Sequence, residues 1–150
     1  MSVLVDTNLL TKLADLNQPK NSIVNDAVKY LLGKGETAYI LPQNVYEFWA
    51  VATRPPANNG LGMTSEAANA RLDEILGMFI LLPDTAEIFA QWRRLVRNYD
   101  CKGKPSHDAR LVAGMIVHQI PTIVTFNKQD FIRYSAITIF TPDEVLLQRP

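Results

Sequence analysis

The sequence predicts an α/β fold: a mostly parallel sheet with helices on both faces. Three observations predict it. Short apolar runs of strand length recur at 3–5, 38–41, 79–82, 121–125 and 136–140. Longer segments carry apolar residues three and four apart, the spacing of helices that lie on a sheet. The two kinds of segment alternate along the chain, as parallel strands joined by crossover helices require.

Each element has its own warrant. Val3-Leu4-Val5 reads as a buried strand, and apolar positions 9, 10, 13, 14 and 16 predict a helix over 8–16. Asn17-Gln18-Pro19-Lys20-Asn21 is a turn. Apolar residues at 23, 24, 27, 28, 31 and 32 predict a helix over 22–32, which Gly33-Lys34-Gly35 ends. A strand at 38–41 leads to Pro42, suited to the first position of a helix running to about 52. Arg54-Pro55-Pro56-Ala57-Asn58-Asn59-Gly60-Leu61-Gly62 is a loop. Thr64 starts a helix to about 77, a strand follows at 79–82, and Asp84 is expected to cap a long helix to about 99. After the polar connection 100–105, Ser106 is expected to cap a helix to about 118. Strands at 121–125 and 136–140 follow, and Thr141-Pro142-Asp143-Glu144 has the form of a capping box.

Composition bounds the partners. The 150 residues are 47% hydrophobic and 20% charged, which suits one soluble domain over 1–150 with a sizeable core. Fifteen Lys+Arg balance fifteen Asp+Glu, so any nucleic acid must be drawn by a local patch and not by net charge. A single cysteine, Cys101, excludes an internal disulfide framework and a cysteine-built zinc site, and suggests a reducing cytoplasm. We read no signal peptide at the start, and the apolar stretches are too short to span a bilayer.

Four carboxylates carry the functional reading. Asp6 directly follows the first apolar strand, where ligands of parallel sheets bind; a helix N-cap is the plainer use of such a residue. Glu47 interrupts the otherwise apolar run 45–52, and an isolated charge there calls for a partner or a metal. Asp108 falls in the first turn of a helix, where the dipole alone favours an acid. Asp130 follows the fourth strand within Thr125-Phe126-Asn127-Lys128-Gln129-Asp130-Phe131, where turn chemistry also explains Asn and Asp. Several acids gathered in one crevice repel unless a cation neutralises them. Oxygen-only ligands suit Mg²⁺ or Mn²⁺.

These segments resemble a known family. Val5-Asp6-Thr7-Asn8, Glu47, Ser106-His107-Asp108-Ala109 and the 125–131 segment, in this order and spacing, are similar to PIN-domain ribonucleases, and within them to VapC-type toxins of type II toxin–antitoxin systems. Thr53-Arg54-Pro55 and Asn59-Gly60-Leu61-Gly62 look like one subgroup of these toxins. The resemblance implies a three-layer α/β/α sandwich around a parallel sheet of about five strands, and a Mg²⁺- or Mn²⁺-dependent endoribonuclease. Asp6, Glu47, Asp108 and Asp130 would form the acidic set, with Asp6 and Asp108 as direct metal ligands. Thr7 would support the site or cap a helix, and Asn127 competes with Asp130 for the fourth position. Hydrolysis would proceed by a metal-activated water and leave a 5′ phosphate. A cognate antitoxin, a homodimer and a cytoplasmic setting complete what the family implies.

Basic residues Arg94, Arg97, Lys104 and Arg110 flank Asp108 in sequence and are candidates to grip RNA phosphates, although such a run is also an ordinary solvated face. His107 reads as surface before phosphate contact. Rival α/β readings fit less well. A phosphate-receiver domain wants paired acids after the first strand and an acceptor aspartate after the third, and a haloacid-dehalogenase-type phosphatase wants an aspartate where Asn8 stands. A PIN-like scaffold that binds partners without cutting is the non-enzymatic alternative.

Overall fold

The computed structural model describes residues 2–150. Strands β1 (Ser2–Val5), β2 (Thr37–Ile40), β3 (Ile80–Leu81), β4 (Thr122–Val124) and β5 (Thr138–Phe140) form one sheet. All pairings are parallel, in the order β3-β2-β1-β4-β5. Seven helices connect and cover them: α1 (Thr7–Ala14), α2 (Asn21–Gly33), α3 (Pro42–Thr53), α4 (Ser65–Met78), α5 (Ala86–Asn98), α6 (Pro105–Val117) and α7 (Pro142–Leu147). This is the predicted α/β/α sandwich.

The layers follow from alternation along the strands. Val3 and Val5 of β1, Ala38 and Ile40 of β2 and Val124 of β4 face one core, which α1 to α4 and α7 cover. Leu4, Tyr39 and Ile123 face the other, which α5 and α6 cover. Burial on both faces is why the strands read as unbroken apolar runs. The chain steps outward from β1 to β3, then crosses to β4 and β5 on the opposite side. The reversal falls between β1 and β4, and the crevice beyond their carboxyl ends is the ligand position such sheets offer.

Several boundaries differ from expectation for local reasons. Helix α1 ends at Ala14, because the Asp15 carboxylate accepts the Asn17 N–H (2.9 Å) and starts the turn early. Leu16, expected on the buried stripe, is 84% exposed as a result. Asp84 does not cap α5; Thr85 holds that position, and Asp84 pairs with Arg110 at 3.0 Å. Helix α6 starts at Pro105, which needs no N–H there, and the Ser106 hydroxyl donates to the Gly103 carbonyl (2.7 Å). The capping box of α7 forms as read, with Glu144 N–H on Thr141 Oγ1 and Thr141 N–H on Glu144 Oε1. Among the described residues no helix is long and apolar enough to cross a membrane.

The 54–62 loop doubles back on the end of α3. Leu61 and Met63 donate their N–H groups to the carbonyls of Val51 and Ala52, at 2.9 and 2.8 Å, satisfying acceptors a helix end leaves open. The return is tight at Gly60, where a Cβ would fall on the carbonyl of Arg54. Gly60→Ala should therefore lower stability by about 1–3 kcal/mol in urea unfolding, the usual cost of forcing atoms into a filled space. A change below about 0.5 kcal/mol would contradict this packing.

Candidate active site

Asp6 is the residue after β1, and its N–H continues the sheet ladder to the Val124 carbonyl (3.1 Å). Glu47 stands on α3, which follows β2; Asp108 stands in the first turn of α6; Asp130 lies in a 3₁₀ turn (Lys128–Asp130) beyond β4. All four line one open crevice of about 220 Å³ at the β1/β4 reversal. Thr7, Asn127 and Lys104 line it too, with Asn8, Thr11, Val51 and Leu111. A larger hollow of about 530 Å³ between α1 and α4 contains none of the proposed site residues.

Asp6 is 7% exposed and firmly held. Its Oδ1 accepts the Thr7 N–H (2.8 Å), so it also performs the N-cap role. Its Oδ2 accepts the Thr125 hydroxyl (2.7 Å), and Asn8 Nδ2 approaches the same oxygen at 3.4 Å. Thr125 Oγ1 in turn accepts the Asn127 N–H (3.0 Å). Around Glu47 a second chain runs from Asn44 Nδ2 to Thr7 Oγ1 (3.2 Å), and from the Thr7 hydroxyl to Glu47 Oε1 (3.0 Å). Thr7 thus joins the two halves of the site through its side chain and its backbone.

Burial pushes the Asp6 carboxyl up to about 6. The hydrogen bonds from Thr125 and Thr7 oppose this, while the like charges of Glu47 and Asp108 add to it. The Asp108 carboxyl is also raised, by burial first; Lys104 counters, and Asp130 and Glu47 add. Lys104 donates to Asp130 Oδ2 at 3.2 Å and stands 3.8 Å from Asp108 Oδ2. Partial burial works to lower the Lys104 ammonium, but the bond to Asp130 and the charges of Asp108, Asp130 and Asp6 outweigh it and raise it.

This crowding of acids, all with oxygen donors, fits a hard divalent cation. Among the described residues no three His, Cys, Asp or Glu side chains form a ready cage. That is compatible with Mg²⁺, which typically takes one or two carboxylates and keeps several waters. Asp6 and Asp108 fit that number.

The candidate basic residues divide. Lys104 reaches the crevice, whereas Arg94 and Arg97 are exposed on α5 and neither lines it. Arg110 turns away to Asp84 and to Gln43 Oε1 (3.2 Å), beside a separate hollow with Phe89 and Trp92. His107 is exposed, and its carbonyl accepts from Gln43 Nε2 (2.9 Å), which braces α6 against α3. Sequence reasoning missed Gln43 and Asn44 altogether, and gave Thr125 no role. Thr125 was findable: it follows Val124, the register partner of Val5, so it stands beside Asp6.

The fold and site define a class, a parallel α/β/α domain with an acidic crevice at the sheet's reversal point. A family model described as PIN domain matches residues 3–137, and the chain belongs to that family. Among curated protein sequences none matches the chain. Solved structures with a similar fold include VapBC2 from Rickettsia felis bound to a promoter DNA fragment (TM-score 0.69, 16% identity, 94% of this chain and 98% of that one). Another is FitAcB from Neisseria gonorrhoeae (TM-score 0.65, 22% identity, 93% and 97%). A third is VapC20 from Mycobacterium tuberculosis, a Sarcin-Ricin loop cleaving toxin (TM-score 0.63, 18% identity, 87% and 94%).

The raised Asp6 carboxyl has a measurable sign. At about 6 instead of 3.8, the folded chain binds more protons than the unfolded one between these values, so stability falls as pH rises through that window. The fall is about 3 kcal/mol at 1.36 kcal/mol per unit. Asp6→Asn cannot titrate. Metal-free wild type should therefore lose about 2–2.5 kcal/mol relative to this variant between about pH 4 and pH 7, in urea unfolding. Parallel pH profiles for the two proteins would contradict the raised Asp6 carboxyl.

Proposed function

We propose that this single PIN domain, spanning 1–150, is a Mg²⁺- or Mn²⁺-dependent endoribonuclease and the toxin of a toxin–antitoxin pair. One observation carries the reading: Asp6 is buried at the β1/β4 reversal within reach of the like charges of Glu47 and Asp108. Such an arrangement is costly unless a cation joins it. Family membership supports a nuclease. The Sarcin-Ricin loop cleaving toxin among the structural neighbours supports RNA as substrate, and the VapBC2 complex supports an antitoxin partner.

In this reading Asp6 and Asp108 would hold the ion, and Asp130 or Asn127 would complete the rim. When bound, the ion supplies charge stabilisation to the phosphoryl oxygens and an acidified water. Thr125 and the Thr7 N–H fix the direction of the Asp6 oxygens. The Thr7 hydroxyl engages one oxygen of Glu47, and the other is left to accept a proton from the attacking water. Lys104 supplies positive charge at the crevice, and Arg94 and Arg97 extend the field for phosphates further out. The bond to the ribose 3′ oxygen breaks, leaving a 5′ phosphate on the downstream product. A cognate antitoxin covers the crevice until it is released, the toxin pairs as a homodimer, and both act in the cytoplasm.

Asp6→Asn and Asp108→Asn should each lower cleavage of single-stranded RNA by about 100-fold or more, with EDTA abolishing the wild-type activity. Gel assays of 5′-labelled RNA with Mg²⁺ or Mn²⁺ read this directly. Full activity in either variant would refute its metal role. An inert wild type that still binds its partner would favour the scaffold reading.

A further inference from the structure

Lys104 precedes α6, at the end of the polar connection from α5. Its Nζ lies 3.2 Å from Asp130 Oδ2 and 3.8 Å from Asp108 Oδ2, so it bridges acids from two separate segments of the crevice. As a stabilising ion pair it counts for little, because the lysine side chain is 71% exposed. Its place counts for more. An ammonium stands among the carboxylates on which the proposed chemistry depends, and it engages an oxygen of Asp108, one of the two expected metal ligands.

Two cations cannot share those oxygens without cost. An ammonium beside a divalent ion opposes its binding through Coulomb repulsion, even at the dielectric constant of water. We infer that Lys104 is a built-in counter-ion: its ammonium, placed between Asp108 and Asp130, competes with a divalent ion for their oxygens. The inference rests on the nuclease reading above. It adds that Lys104 sets the metal concentration at which the site fills, and that loading frees the ammonium at the crevice rim for a phosphate oxygen. Lys104 is on this view a positioning residue that acts through Asp108 and Asp130.

Titration with Mn²⁺, followed by the EPR signal of the free ion at fixed pH and ionic strength, tests this without any cleavage assay. Lys104→Met should bind Mn²⁺ about tenfold more tightly than wild type, and Lys104→Arg, which keeps the charge, should stay within about twofold. In the wild type, Mg²⁺ should shift the Lys104 ¹⁵Nζ resonance with the same midpoint as the Asp108 amide. Equal or weaker Mn²⁺ binding by Lys104→Met, beside a wild type that binds, overturns the inference and leaves the nuclease reading standing. A Lys104 resonance that stays still while Asp108 responds overturns it likewise. A wild type that takes up no Mn²⁺ at millimolar concentration overturns both.

Discussion

Asp6 is nearly inaccessible to solvent and feels the charges of Glu47 and Asp108, yet the proposed role as a metal ligand requires it to be ionised. Burial favours the protonated form, and the Thr125 hydroxyl and Thr7 N–H favour the charged one. The balance leaves a carboxyl raised to about 6 and poorly solvated. Asp6 lines the crevice, and in the proposed nuclease a divalent ion would offset its charge. The other site residues are arranged around this one group.

The scaffold makes that arrangement rigid. Parallel register aligns Val5 with Val124, so the residues that follow, Asp6 and Thr125, emerge side by side. Glu47 is brought in by α3, whose first turn is stitched to β1's exit through Asn44 and Thr7. Asp108 is brought in by α6, which Gln43 ties to α3 through the His107 carbonyl. The turn bearing Asp130 is anchored from below, where Lys128 contacts both oxygens of Glu144 at 3.1 and 3.0 Å. The Glu144 carboxyl is held below its usual range by the Thr141 N–H first and by Lys128 next. Each acid thus rests at a regular element or on an anchored turn, as a site that must hold its geometry requires.

Much of this was legible in the sequence because it depends on local pattern. Strands buried on both faces must be apolar throughout, and helices on a sheet must show a stripe, so the alternation was readable. Asp6 and Asp130 were readable as acids following strands, Glu47 as an interruption of an apolar helix, and Asp108 only as an acid in the first turn of a helix. The features that local pattern did not fix depend on partners distant in sequence. Asp84 looks like a cap, but Arg110 engages it across the α5–α6 pair. Arg94, Arg97, Lys104 and Arg110 cluster in sequence, yet the turn into α6 sends only Lys104 toward the acids. Gln43 and Asn44 resemble any amides at a helix start, and only the approach of α1 and α6 gives them work.

A crystal grown with Mn²⁺ and measured at the manganese absorption edge tests the central claim directly. One anomalous peak is expected in the β1/β4 crevice, about 2.0–2.2 Å from carboxylate oxygens of Asp6 and Asp108. Saturating Mn²⁺ that leaves the crevice empty, or a peak held by other residues alone, would contradict it.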